Sequence, residues 1–270
     1  MTRFIHLTDL HVSAPQTEDP GRQTDTAATL ARVIDTANGL SPRPDFAIVS
    51  GDMTNIGDQP SYELVAQLLD RLEMPVLMTL GNHDRRAPFH AAFAGQAGAP
   101  DGPVDHDAVI AGLHVILLDS SVPGRVAGAL DAGQFDFLAQ ALARHPEVPK
   151  LLVLHHPPRV DPDDNAAWAS LNTEDTARLG AALAGHDIRG ILSGHVHFNR
   201  VTMWNGIPSI VTTGLQSTVD LTRRDALAVV EGTGFALCRM IGGGLSTTFV
   251  PTEPPRVIKE IPAERLRAFA

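Results

Sequence analysis

The chain has 270 residues, a formal charge of −10, a 43% hydrophobic share and a single cysteine. The acid excess leaves no overall basic surface for gripping a nucleic-acid backbone, and no apolar run approaches the ~20 residues that span a bilayer. Cys238, read as a small buried hydrophobe, excludes an intrachain disulfide and fits a reducing cytoplasm.

Short apolar, β-branched runs alternate with helical patterns, which predicts an α/β layered fold of one large domain. A strand at 4–7 begins so near the start that a cleavable leader would have to remove polar residues argued below to hold metal. The pattern then predicts a helix over 24–38 stopping near Gly39, a strand at 46–50, a helix over 61–72 and strands at 76–80 and 114–119. A helix over 132–144 follows, with Asp131 as N-cap, then a strand at 151–155, a helix over 174–184 and strands at 190–193, 207–212, 226–230 and 234–240. Residues 12–23, 85–107 and 157–171 are rich in Pro, Gly and Asp and read as loops. Each follows a polar cluster at a strand end, where ligands gather in open α/β sheets. Residues 1–250 form the main domain in this reading, and 251–270 form a tail with Pro251, Pro254 and Pro255 and an amphipathic stretch at 263–269. Val257, Ile258, Ile261, Leu266 and Phe269 would make an uncovered patch. The tail is therefore expected to pack on its own domain or to join a second copy in a homodimer or higher homo-oligomer.

Five polar motifs sit at or just past the strand ends: Asp9-Leu10-His11, Gly51-Asp52, Gly81-Asn82-His83-Asp84, His155-His156-Pro157-Pro158 and Gly194-His195-Val196-His197. In an extended chain residues two apart point to one side, so Asp9 with His11, and His195 with His197, are expected to converge. Glycines before the ligating residues let the backbone turn sharply. The chain carries twelve histidines, almost as many as Phe, Trp and Tyr together. A donor set of Asp, Asn and His without thiolate suits Mn, Fe, Zn, Co or Ni. Seven such donors exceed one tetrahedral site and suit two ions sharing a carboxylate.

The order D-x-H, GD, GNHD, HHPP, GHxH resembles the calcineurin-like metallophosphoesterase superfamily, and within it bacterial glycerophosphodiesterases and class III cyclic nucleotide phosphodiesterases. The flanks agree: Arg43-Pro44-Asp45 leads into Val49-Ser50-Gly51-Asp52, and Leu118-Asp119-Ser120-Ser121 precedes the Asp131 helix. The resemblance covers roughly residues 3–215. It implies a four-layer α/β/β/α sandwich with two mixed central sheets. By motif it implies that Asp9, His11 and His197 bind one metal, Asn82, His156 and His195 the other, and Asp52 bridges both. Of the histidine pair, alternation lets one face the metals, and the spacing from Val153 resembles the family pattern at His156. His155 is then expected to pack behind the site. Relatives carry a further histidine near 213–217, where this chain has Thr213-Gly214-Leu215-Gln216-Ser217.

The implied activity is hydrolysis of a small phosphodiester or cyclic nucleotide by a hydroxide shared between two divalent or mixed-valence ions (Mn, Fe, Zn or Co). Asp52 and His83 would be the catalytic residues, with His83 giving a proton to the leaving alkoxide. His83 and Asn82, with Arg22, Arg85 and Arg86 from the framing loops, would hold substrate oxygens, and Trp168 could wall a base. A phosphomonoesterase or nuclease on the same scaffold remains open at this point, as does a metal-binding scaffold without activity. A cytoplasmic enzyme with a small-molecule partner, no membrane and no nucleic acid is the expected setting.

Overall fold

A computed structural model describes residues 1–93, 95, 102–161, 163–223, 226–253 and 256–266. The strands in chain order are β1 (Arg3–Leu7), β2 (Phe46–Ser50), β3 (Val76–Thr79), β4 (His106–Ile110), β5 (Leu113–Leu118), β6 (Lys150–Leu154), β7 (Ile188–Ser193), β8 (Arg200–Trp204), β9 (Ile207–Val211), β10 (Thr218–Val219), β11 (Val229–Val230), β12 (Gly234–Ile241) and β13 (Gly244–Pro251). The helices are α1 (Thr26–Gly39), α2 (Gln59–Leu69), α3 (Arg86–Ala92), α4 (Ala132–Ala143), α5 (Thr173–Leu183) and the short α6 (Ala263–Leu266).

Buried on both faces, the central strands are near-continuous apolar runs. Ile5, Leu7, Ala47 and Val49 turn outward to Leu30, Val33 and Ile34 of α1, Tyr62 and Val65 of α2 and Phe89 of α3. On the opposite side Phe4, Phe46 and Ile48 meet Val115, Leu117, Leu151, Val153 and Leu192 of the second sheet. The rings of Phe4 and Phe46 stack 4.9 Å apart. Behind the second sheet, Ile116, Leu118, Leu152 and Leu154 pack on Phe135, Leu138 and Leu142 of α4 and Leu179 and Leu183 of α5. The result is the expected four-layer α/β/β/α sandwich. One sheet runs β13-β12-β1-β2-β3 and the other β4-β5-β6-β7-β9-β8. Strands β1, β2 and β3 are parallel, as are β5, β6, β7 and β9, while β12 lies antiparallel to β1.

Asp131 caps α4 through a capping box with Gln134, as its position predicts. Three hairpins escape the sequence reading. They turn at Ala111-Gly112, Asn205-Gly206 and Gly242-Gly243, joining β4 to β5, β8 to β9 and β12 to β13. Both residues of each turn have positive φ (48° and 79°, 50° and 78°, 56° and 81°). That is the mirror-image turn whose twist matches its strands, so β4, β8 and β13 follow from local turn chemistry. The expected loop at 85–107 contains α3 and the start of β4, and the loop at 157–171 contains a 3-10 turn, Asp164–Ala169. The strand expected at 226–230 shortens to β11, a two-residue partner of β10. The tail does not bury its apolar residues on the domain, because Val257, Ile258, Ile261 and Leu266 are all exposed. Pro254, Pro255 and Phe269 lie outside the described residues. Among the described residues no helix is long and apolar enough to cross a membrane.

Asp105 ties three elements together: its Oδ1 accepts from the Asp119 backbone N–H at 2.8 Å and from Gln134 Nε2 at 2.9 Å. Burial, aided by the Asp119 and Asp131 charges, outweighs those bonds and pushes its carboxyl from 3.8 up to about 6. The native state thus holds the proton more tightly than the unfolded chain. Stability falls as pH rises from about 4 to 6, and the deficit persists above. Asp105→Asn keeps the acceptor and removes the charge. It is expected to stabilise by about 1–2 kcal/mol at pH ~7.5, a few degrees in melting temperature, and by nothing near pH ~4. Thermal melts at the two pH values test this; an equal shift at both would refute the linkage.

Candidate metal centre

Every candidate residue leaves the carboxyl end of a strand: Asp9 and His11 after β1, Asp52 after β2, Asn82 and His83 after β3, His155 and His156 after β6, His195 and His197 after β7. The convergence of Asp9 with His11 and of His195 with His197 does not come from strand alternation. Asp9, His11, Asp52, His195 and His197 all have positive φ (49°, 43°, 49°, 76° and 54°). The chain has already left the strand and turns each side chain inward. Such backbone costs roughly 1–2 kcal/mol per non-glycine residue, and its clustering marks a functional site. Two glycines make the close approach possible. A β-carbon on Gly81 would overlap the Asp52 carboxylate, and one on Gly194 would overlap Thr8 Oγ1 and Asp9 Oδ2.

Asp9 and Asp52 are buried, each with one oxygen turned toward the histidines; the inward Asp9 Oδ1 also accepts from the His195 backbone N–H at 3.1 Å. Asp9 Oδ2 accepts from Thr8 Oγ1 at 2.8 Å and from the His195 backbone N–H at 3.0 Å. Its Oδ1 lies 3.2 Å from His197 Nε2 and 3.9 Å from both His11 Nε2 and His155 Nε2. Asp52 Oδ1 accepts from the His83 backbone N–H at 2.8 Å. Its Oδ2 stands between two histidines, 3.6 Å from His11 Nε2 and 3.2 Å from His155 Nε2. Burial works to raise both carboxyls, but neighbouring rings outweigh it, His197 and His155 for Asp9 and His155 and His11 for Asp52, and hold both well below the usual range. Burial pushes His11 and His195 down to about 4, so both rings are neutral near pH ~7 and free to act as donors of a lone pair.

The histidine pair faces the opposite way from the expectation. His156 is fully engaged behind the site: Nδ1 meets Ser120 Oγ and Nε2 donates to the Val126 carbonyl, each at 2.9 Å. No lone pair of that ring remains for a metal, although it stands 4.4 Å from the His195 ring. His155 donates from Nδ1 to the Ser50 carbonyl at 2.9 Å. Its Nε2 is buried without a hydrogen-bond partner and is aimed at the two carboxylates. Burial lowers the His155 ring, yet Asp52 and Asp9 overcome it and push it up to about 9.

Asn82 presents a buried amide oxygen that has no partner. His195 gives Nε2 to the Trp168 carbonyl at 2.8 Å, which leaves Nδ1. Asn55, which sequence reasoning passed over, holds two rings at once. Its side-chain oxygen takes His11 Nδ1 at 2.9 Å and its backbone carbonyl takes His83 Nδ1 at 2.7 Å. Asp19 fixes the Asn55 amide through Nδ2 at 2.7 Å. Both rings therefore carry their proton on Nδ1 and turn Nε2 away from Asn55. Asp84 braces the same loop, accepting from the Gly81 and Met53 backbones and Tyr62 Oη. A cavity of about 630 Å³ opens beside His83, lined also by Asn82, Ile56, Arg85, Arg86 and Val122. Arg22 does not reach it: its guanidinium bonds the Ala14 and Thr17 carbonyls. Arg86 lines it but is tied to Asp119 at 3.0 Å. Trp168 lines a separate apolar cleft of about 220 Å³ with Val160 and Phe198. In the segment 213–217, where the resemblance leads one to expect a histidine, Ser217 Oγ lies 3.4 Å from His197 Nδ1.

These donors fit two cations. His11 Nε2 and His197 Nε2 approach to 3.2 Å although the His11 nitrogen bears only a lone pair. His155 Nε2 faces the two carboxylates, and the buried Asn82 oxygen has no hydrogen-bond partner. With the protons of His155 and His197 displaced, these inward nitrogens and oxygens would form a set of metal ligands. The donors group as Asp9, His11 and His197 on one side and His155, His156 and His195 on the other, with Asp52 approached from both; within the second group the hydrogen bonds to Ser120 and Val126 occupy His156, whereas His155 Nε2 faces the carboxylates. Fold and donor set together define a metal-dependent phosphoesterase with a binuclear centre.

The chain belongs to the calcineurin-like phosphoesterase family, whose model matches residues 2–199. It is 34% identical over 225 residues to a protein of Rhodococcus erythropolis named a probable cyclic nucleotide phosphodiesterase, covering 81% of this chain and 72% of that one. It is 32% identical over 223 residues to a cAMP/cGMP dual specificity phosphodiesterase of Mycobacterium tuberculosis, covering 81% and 69%. Its fold matches that of a dimetal phosphatase from Danio rerio with a TM-score of 0.69 at 14% identity, over 93% of this chain and 96% of that one.

Proposed function

We propose that the protein is a phosphodiesterase acting on small phosphodiesters or cyclic nucleotides with two divalent ions. The observation that carries this is Asp52 Oδ2, which lies between His11 and His155 and would be shared by the two ions. Asp9, His11 and His197 would hold the first ion, and Asn82, His155 and His195 the second. When bound, the ions acidify a water and neutralise charge on the phosphoryl oxygens. Asp9 and Asp52 offset only part of that charge, so the centre stays positive inside a protein of net charge −10. A diester monoanion suits such a centre. A monoester carries close to two charges near neutrality and would compete with the water for the ions. The cavity beside His83 gives the second ester arm somewhere to lie. The names of the two bacterial relatives support the same substrate class. A cytoplasmic setting is part of this reading, since a chain with one cysteine has no intrachain disulfide that needs an oxidising compartment.

The test is kcat/KM for bis(4-nitrophenyl) phosphate against 4-nitrophenyl phosphate, then for cyclic nucleotides and glycerophosphodiesters against their monoesters. Activity should vanish on chelation, return with Mn, Co or Zn, and favour diesters. A consistent monoester preference across leaving groups and metals would overturn the diesterase reading.

His83 is the proton donor in this reading: Asn55 holds its Nδ1–H and leaves Nε2 on the cavity side, so the ring acts in its doubly protonated form, gives the Nε2 proton to the leaving oxygen and returns to the Nδ1–H tautomer. His83→Ala is expected to keep both ions. Turnover should drop about 10²–10³-fold for alkyl leaving groups and far less for 4-nitrophenolate, which needs no proton. Equal losses across leaving groups of widely different basicity would exclude the acid role.

A further inference from the structure

The cavity beside His83 has an uneven charge balance. Among its lining residues the charged ones are Asp84, Arg85 and Arg86. Asp84 turns inward, its oxygens taken by the Gly81 and Met53 backbones and by Tyr62. Arg86 is paired with the buried Asp119 and also reaches the Ser121 carbonyl. Arg85 uses its backbone N–H on Tyr62 Oη, but among the described residues its guanidinium has neither a hydrogen bond nor an ion-pair partner. An arginine is always charged and presents a planar fork suited to carboxylate or phosphate. Here that fork is uncompensated, at the wall of a concave site, in a protein with ten more acids than bases.

The stem of Arg85 is seated rather than loose. Its Cγ fills the place a β-carbon would take on Gly57, so any larger residue there would displace it. Gly57 also has a φ of 72°, which an L side chain rarely adopts. Arg85 lies two residues after His83 and lines the same cavity. If His83 protonates the leaving oxygen, the departing alcohol lies in that cavity, beside the free guanidinium.

We infer that Arg85 forms an anion-recognising subsite for the leaving group, so that the preferred diesters release an alcohol carrying its own carboxylate or phosphate. This rests on the phosphodiesterase reading and goes beyond it. The scissile phosphoryl group is served by the metal centre, whereas Arg85 reads a second negative charge farther along the departing arm. A cationic leaving arm, such as choline, is disfavoured by the same charge.

The experiment compares matched leaving groups in the metal-replete enzyme. One pair is methyl 4-nitrophenyl phosphate and its 3-carboxy-4-nitrophenyl counterpart, each corrected for its hydroxide-catalysed rate. A second pair is glycerophosphoglycerol with and without a terminal phosphate. The wild type is expected to favour the anionic member of at least one pair by about fivefold to tenfold, the range between an exposed and a partly desolvated ion pair. Which pair responds tells carboxylate from phosphate. Arg85→Gln should bring the ratio close to one, Arg85→Lys should retain part of it, and Arg85→Glu should invert it. The preference should shrink as salt rises. Binding of the released 5-hydroxy-2-nitrobenzoate, followed by calorimetry, should weaken in Arg85→Gln by a similar factor. If Arg85→Gln lowers both members equally, the guanidinium grips the scissile phosphate and the subsite is wrong, while the phosphodiesterase reading stands. Equal wild-type rates on both members of both pairs also overturn it. If no diester is turned over, the phosphodiesterase reading falls and the subsite falls with it.

Discussion

Asp52→Ala is expected to abolish metal binding at both positions and to lower kcat/KM by more than about a thousandfold. The magnitude follows from what the ions supply. Bound ions would lower the pKa of a water toward neutrality, so their loss would remove nearly all hydroxide-like nucleophile at neutral pH. Asp52 Oδ2 has no substitute in the site, because Asp9 Oδ1 is 3.9 Å from both His11 Nε2 and His155 Nε2 and closest to His197 at 3.2 Å. A second measurement separates metal loss from misfolding. Ions that bind the native state stabilise it in proportion to the logarithm of their concentration over Kd. The wild type should therefore melt several degrees lower after chelation, and Asp52→Ala should melt at one temperature with or without metal. Two ions per chain in Asp52→Ala by elemental analysis would rule out the bridging role.

The motif order carried much of the fold and the existence of the centre, because each polar cluster ends a strand whose apolar run is unmistakable. Val49-Ser50-Gly51-Asp52 is such a case: β2 is buried along its whole length and delivers Asp52 at its end. What alternation could not supply was direction. It assumes extended backbone, yet Asp9 and His11 reach the centre from the left-handed region, which no spacing rule encodes. The hairpin at Asn205-Gly206 was legible, since an Asn-Gly pair between β-branched runs is a strong turn signal. It was lost because β8 is an edge strand with exposed Val201 and Met203, so its apolar pattern points to no core. Asn55 was invisible for a different reason. Its role comes from bonds to His11, His83 and Asp19 that join three separate loops, and it has no metal-ligand chemistry to attract notice.

The same limit explains the histidine pair, and His155→Ala against His156→Ala decides it. At the end of β6 the two rings stand nearly perpendicular, 4.9 Å apart, and burial cannot tell them apart because both are fully buried. Hydrogen bonding can. His156 spends both nitrogens on the segment 120–128, through Ser120 and Val126, and Gly128 leaves room for its ring. That wiring makes it a brace for the loop entering α4. His155 spends one nitrogen on Ser50 and leaves the other for the centre. His155→Ala should therefore drop metal content from two ions per chain toward one and cut kcat/KM by more than about a hundredfold, since the second ion loses an imidazole that nothing nearby replaces. Its loss also strips Asp52 of the ring that most lowers its carboxyl, which should weaken the first ion by a smaller factor. His156→Ala should bind two ions. It should lose about 2–4 kcal/mol of stability, because it opens a buried cavity and strands the Ser120 and Val126 groups. Elemental analysis, chemical denaturation and kinetics on the two variants separate these cases. Loss of one ion from His156→Ala, with two retained by His155→Ala, would restore the assignment that the spacing from Val153 suggests.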